Sequence, residues 1–330
     1  MTFVLKTLFL FCTLFLSGIR AEVLFPLEKL NFGMELKDQI LIAQGNNPVM
    51  DIKPLGDPID PPKEEYLPAQ DTLPFWGKET RERGYNLPLP MGVSLNYIYM
   101  KQGINFDDVM VTLGDEDMLI EGVSFDGPVR ADNIGVMRAD VWVLPFLNFY
   151  GIFGHLGGNI TTEVGIPGDL TVTGDPMQVD ADIEYNGFTY GFGIDVAGGY
   201  ESMFVLIDSN FAWTSVDVSD APITTFVFSP KIGIIIEDKD LIGRGTIWLG
   251  TMYLNFDMEV TGSIATAKIS PDLPDILGVQ SLGYTAKVSP IGTWNMLIGG
   301  SWEITPHWVF LAEVGFIKRT QYIMGGVYRF

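Results

Sequence analysis

The sequence predicts an all-β fold: a transmembrane antiparallel up-and-down β-barrel of about ten strands, within a range of roughly eight to twelve, behind an extended Pro-rich N-terminal segment. Three observations lead there. From Met91 onward, apolar residues recur at every second position. After the first 21 residues, no apolar run is long enough for a spanning helix, which needs about 18 to 20 residues. The composition joins 37 Gly to 22 Phe, 12 Tyr and 7 Trp, as in a barrel with aromatic girdles and small inward positions.

Charge narrows the function classes. Asp and Glu number 41 against 20 Lys and Arg, a net charge of -21. A nucleic-acid binder needs a basic face, so no nucleic acid is expected as a partner. A polybasic anchor on anionic lipid is excluded in the same way.

The chain opens with an export signal over residues 1–21. Lys6 supplies the positive start, and Leu8 to Leu16 the short apolar core. Cleavage is expected after Ala21. Cys12, the only cysteine, lies within this signal behind Phe11, which is too bulky for lipoprotein processing. The mature chain then lacks thiols, which removes disulfides, Cys-based zinc sites and Cys nucleophiles. It also suits passage through an oxidising compartment. Residues 22–89 form the next unit. Half of the 20 prolines fall between Pro26 and Pro90, and proline removes a ladder donor. This stretch is expected to be extended, lying in the periplasm or plugging the barrel.

Residues 90–330 form the barrel. The alternation predicts strands at about 91–101, 131–144, 146–158, 184–198, 202–217, 223–236, 245–262, 287–304, 308–318 and 320–330. Phe188, Tyr190, Phe192, Ile194 and Val196, for example, alternate with Thr189, Gly191, Gly193 and Asp195. In 245–262 the apolar face of Trp248, Met252, Leu254, Phe256, Met258 and Val260 reads as lipid-facing, with Asn255, Asp257 and Glu259 opposite. The connections alternate between short turns, such as Thr305-Pro306-His307, and long polar loops at 102–130, 159–182 and 263–286. Loop 102–130 has room for a further hairpin. Short turns on one side and long loops on the other, with an even strand count, put both termini in the periplasm.

A soluble β-sandwich would also alternate. Aromatic residues at strand ends, the loop asymmetry and inner faces rich in glycine and isolated charge favour the membrane. Lipid cannot hydrogen-bond a bare sheet edge, so an inserted sheet must close.

The last strand ends in Phe330, with Tyr328, Met324 and Tyr322 on the same face. It resembles the C-terminal assembly signal of Gram-negative outer-membrane β-barrel proteins. The stretch Ala139 to Gly154 also looks like a tight hairpin of that class. The resemblance implies location in the cell outer membrane, with its lipid and the barrel-assembly machinery as partners. It points to no subfamily of known activity, and the small-molecule ligand stays unknown.

No Gly-x-Ser-x-Gly, His-Glu-x-x-His or P-loop pattern occurs, so no catalytic residue, metal or cofactor is assigned and the chain reads as a non-enzyme. His307 reads as a solvated turn residue. His155 with Asp208, Asp217 or Ser215 is the one grouping that residue types permit for a hydrolase. Asp107, Asp108, Asp115, Glu116, Asp117 and Glu121 make residues 105–121 acidic, but without EF-hand spacing, and read as a solvated outer loop. Arg138, Asp140, Asp195, Asp208, Lys231, Glu313 and Arg329 fall on inward positions. Both signs are present, so a narrow barrel can pair them, and a largely filled lumen is expected. The primary reading is a structural or surface-interaction barrel. A narrow porin or transporter of small solutes comes second, a barrel-embedded hydrolase third.

Overall fold

The computed structural model describes residues 72–82, 85–113, 116–119, 124–168, 174–200, 202–219, 221–237, 242–265 and 281–330. The expected signal, Cys12 and most of the proline-rich unit lie outside the described residues. Among the described residues, a short helix, α1 (Gly77–Glu82), precedes twelve strands. These are β1 (Met91–Leu113), β2 (Glu116–Leu119), β3 (Ser124–Leu144), β4 (Leu147–Ile166), β5 (Met177–Tyr200) and β6 (Met203–Val216), followed by β7 (Ile223–Glu237), β8 (Arg244–Ala265), β9 (Ser281–Pro290), β10 (Trp294–Thr305), β11 (Trp308–Phe316) and β12 (Arg319–Arg329).

Ten of them close a ring. Antiparallel pairing runs β1-β3-β4-β5-β6-β7-β8-β10-β11-β12. β12 returns to β1 from Gly92↔Arg329 to Gln102↔Arg319, so no edge is left open at this level. The short turns β3–β4, β5–β6 and β10–β11 share one end, here the turn end, with the start of β1 and the finish of β12. Residues before β1 attach there. The Phe75 N–H donates to the Val143 carbonyl (2.9 Å) and the Trp142 N–H to that of Pro90 (2.8 Å).

Two differences from expectation lie at the far end. The regions 102–130 and 159–182 are largely strand rather than loop, because β1, β3, β4 and β5 run on past the level a bilayer requires. β1 has 23 residues against the roughly 9 to 11 that a tilted spanning strand uses. The expected strand 287–304 is two strands, divided at Ile291-Gly292-Thr293, where Gly292 adopts φ +94°. β9 does not join the ten-strand ring. It pairs with the far halves of β8 (Met258↔Val288) and β1 (Ile104↔Pro290) and so bridges above β10–β12.

The larger correction concerns which face of β8 points inward. Met252, Leu254, Phe256, Met258 and Val260 are buried inside the barrel, while Asn255, Asp257 and Glu259 are exposed. Leu254, Phe256, Met258 and Val260 join Met100, Ile104, Leu156, Ile160, Tyr185, Val216, Ile223 and Val288 in one apolar core. The barrel therefore has two storeys. Toward the turn end, the outer face is apolar (Leu95, Met137, Phe153, Phe192, Leu249, Phe310, Met324) and the inner face polar. Toward the far end the order inverts. The outer face carries Asn159, Glu163, Asp182, Glu184, Asp257 and Glu259, and the inside holds the apolar core. The inversion needs no break in the strands. Alternation continues with period two while the residue types on the two phases exchange. Inner faces of glycine and charge, expected along the whole barrel, dominate only the turn-end storey; toward the far end the inner face is mainly apolar, with Arg130, Asp132 and Arg319 as buried exceptions.

Candidate functional site

The interior of the turn-end storey contains all seven inward charges named from the sequence, gathered into three pairings. β3 directs Arg138 and Asp140 inward at alternate positions. The Arg138 guanidinium donates through Nη2 to Asp195 Oδ2 and through Nη1 to Asp208 Oδ2 (3.4 Å). Its Cζ lies 3.4 Å from the ring centroid of Tyr150, a cation–π arrangement. The Tyr150 hydroxyl donates to Asp208 (2.9 Å), and Asn210 Nδ2 donates to both (3.2 and 3.1 Å). Gly193 makes this possible: a Cβ there would stand 2.4 Å from Tyr150 Cζ.

Nearer the turn end, Arg329 pairs with Asp140 (3.2 Å), which also accepts from the fully buried Asn148 (2.8 Å). Arg329 Nη1 donates as well to the Leu89 carbonyl (3.2 Å), joining the segment before β1 to the lumen charges. On the other wall Lys231 pairs with Glu313 (2.6 Å), and Trp248 Nε1 donates to the same carboxylate oxygen (2.8 Å). Paired, hydrogen-bonded charges are the form in which an interior tolerates ions.

Two further interior polar groups are not evident from the sequence. Arg130 pairs with Asp132 (2.9 Å) within the apolar core, level with Ile160, and the Tyr185 hydroxyl also donates to Asp132. The guanidinium lies 4.8 Å from the Phe256 ring centroid. The signal was present, since Arg130 and Asp132 share the phase of Arg138 and Asp140. Assigning 102–130 to a loop hid it. The second is Arg319 with Gln102, Gln321 and Asn295, all buried.

The hydrolase grouping is not assembled. His155 lies on the outer face, edge-on to Phe188 (5.2 Å), whereas Asp208 is inside with Arg138. Ser215 is exposed on β6, separated from His155 by the β5 residue Phe188. Asp217 accepts from the Asn186 N–H (2.9 Å). His307 Nδ1 is 2.7 Å from the Arg329 carbonyl in the β10–β11 turn. Of the acidic stretch, Asp107 accepts from Ser289 Oγ (3.0 Å), and the side chains of Asp108, Asp115, Glu116, Asp117 and Glu121 lie outside the described residues. Among the described residues, no three His, Cys, Asp or Glu side chains are placed to hold a metal.

The outer face of the turn-end storey is a continuous apolar belt. Tyr322, Met324, Tyr328 and Phe330 lie on it, all exposed. Tyr97, Trp213, Tyr253 and Trp294 sit toward its upper margin, and Tyr200, Trp308 and Tyr328 toward the turn end, as girdles at two water interfaces require. An apolar outside over a polar, ion-paired inside is a build for hydrocarbon, not water. The chain folds as a closed ten-strand β-barrel of transmembrane build.

No protein-family model matches the sequence, and no curated protein does. Among solved structures, the chain is similar to the outer membrane protein OprG from Pseudomonas aeruginosa at 10% identity and a TM-score of 0.39, covering 74% of this chain and 98% of that one. It is similar to an outer membrane channel from Pseudomonas putida F1 at 10% identity and a TM-score of 0.33, covering 75% and 98%. The transport unit of the autotransporter AIDA-I from Escherichia coli aligns at 9% identity and a TM-score of 0.31, covering 81% and 100%.

Proposed function

We propose that this chain is a closed, non-catalytic outer-membrane barrel that holds a rigid β-storey above the membrane as a surface for interaction. The observation that carries this reading is the inversion of polarity along the strands. It fills the far half of the barrel with apolar side chains and leaves the near half to ion pairs, so no continuous aqueous path is favoured. The raised outer wall is acidic, and Asp126, Glu163 and Asp180 stand directly opposite one another on β3, β4 and β5. In this reading both termini face the periplasm, because they share the short-turn end. The apolar belt takes outer-membrane lipid as its partner, and the β12 face ending at Phe330 serves the barrel-assembly machinery. Reconstitution of the mature protein in planar bilayers tests the reading. The expected trace is flat, apart from rare irregular events. Regular unitary current steps that scale with salt would overturn it in favour of a narrow porin.

A further inference from the structure

We propose that the barrel binds a small monovalent anion, a halide or the carboxylate of a short acid, between Arg319 and Gln102. Every other interior cation described above has a carboxylate partner: Arg130, Arg138, Lys231 and Arg329 each belong to an ion pair. Arg319 belongs to none among the described residues, yet only 2% of its surface is exposed. Its contacts are neutral amides. Nε donates to Gln321 Oε1 (3.1 Å) and Nη1 to Gln102 Oε1 (3.4 Å). Two donors remain buried without an acceptor, Arg319 Nη2 and Gln102 Nε2, on side chains already in contact. An isolated buried cation is among the costliest arrangements in a protein interior. One anion accepting from both donors would neutralise the guanidinium and satisfy both groups. One uncompensated positive charge matches a monoanion.

The backbone there is fixed in advance. Asn295 Oδ1 accepts from the N–H groups of Lys318 (3.1 Å) and Arg319 (3.2 Å), and its Nδ2 donates to the Arg319 carbonyl (2.7 Å). The β9–β10 corner lies alongside, with Ile291 N–H bonded to the Gly103 carbonyl (3.0 Å). The site is thus held between β1, β10 and β12, on the side bridged by β9.

The test uses full-length mature protein in detergent. Melting temperature is followed across a bromide titration and a separate acetate titration, for wild type and Arg319→Met in identical salts. Crystals grown with bromide give the position directly. A bromide- or acetate-dependent rise in wild type that is lost in the variant is expected, with an anomalous peak within hydrogen-bond reach of Nη2 if the halide binds. The arm that responds identifies the source of the charge. Equal rises in both proteins, or no rise in either titration, would overturn the site. If Arg319→Met does not fold, Gln102→Leu keeps the cation and drops one donor. It should raise the half-saturating anion concentration about 10-fold, the worth of one hydrogen bond to a charged group, and an unchanged value rejects the proposal.

Discussion

Replacing Arg138 with methionine removes the one cation between Asp195 and Asp208 while retaining most of the side-chain volume. The two carboxylates occupy directly opposed positions on β5 and β6. Opposed residues are about 5 Å apart, and two unit charges at that distance repel by about 3 kcal/mol at an effective dielectric near 20. Loss of the cation–π contact with Tyr150 adds about 1 kcal/mol. The total of about 4 kcal/mol agrees with the roughly 3 to 5 kcal/mol typical when one member of a buried pair is removed. Urea unfolding in lipid vesicles, read by the shift in gel mobility between folded and boiled protein, measures the loss. The diagnostic comparison is the triple variant Arg138→Met with Asp195→Asn and Asp208→Asn, which removes the stranded charges as well. It should recover most of the stability, because the cost lies in unpaired ions and not in the missing contact. A single variant that loses under about 1 kcal/mol, or a triple variant no more stable than the single, would refute the view that these charges are interlocked within the lumen.

The two storeys predict opposite responses to the same new charge. Phe192→Arg, in the middle of the apolar belt, should lower stability in vesicles by about 2 to 4 kcal/mol. Asp257→Arg, on the water-facing wall, should stay within about 0.5 kcal/mol; equal effects in urea titrations would contradict the inversion. Ile317, a β-branched residue exposed in the β11–β12 turn at φ +103°, is strained. Ile317→Gly should raise stability by about 1 kcal/mol, and a fall in the urea midpoint would show that no strain is stored there.

Strand number and order were legible because alternation over ten segments is a strong signal. What alternation cannot supply is which phase faces inward. In β8 the long apolar set from Trp248 to Val260 reads as lipid-facing, which would place Asn255, Asp257 and Glu259 in the interior. The structure shows the reverse: residues on the other phase, Ile247, Leu249 and Tyr253, form the β8 part of the belt. Their shorter run was outweighed by the longer inward one. The far halves of β1, β3, β4 and β5 read as loops in the sequence because their polar outer faces share loop composition. The Arg319 cluster was invisible for another reason. Its residues come from β1, β10 and β12, and only closure of the ring brings them together.

The level at which side-chain types exchange also constrains the surrounding bilayer. A hydrocarbon layer deeper than the belt would submerge Asn159, Asp182 and Asp257, and a shallower one would leave Phe153 and Phe188 in water. Tilting offers little relief to a closed cylinder, which must match on its whole circumference, so mismatch falls on the lipid. A barrel built this way holds one vertical position and gathers around itself the acyl lengths that fit it.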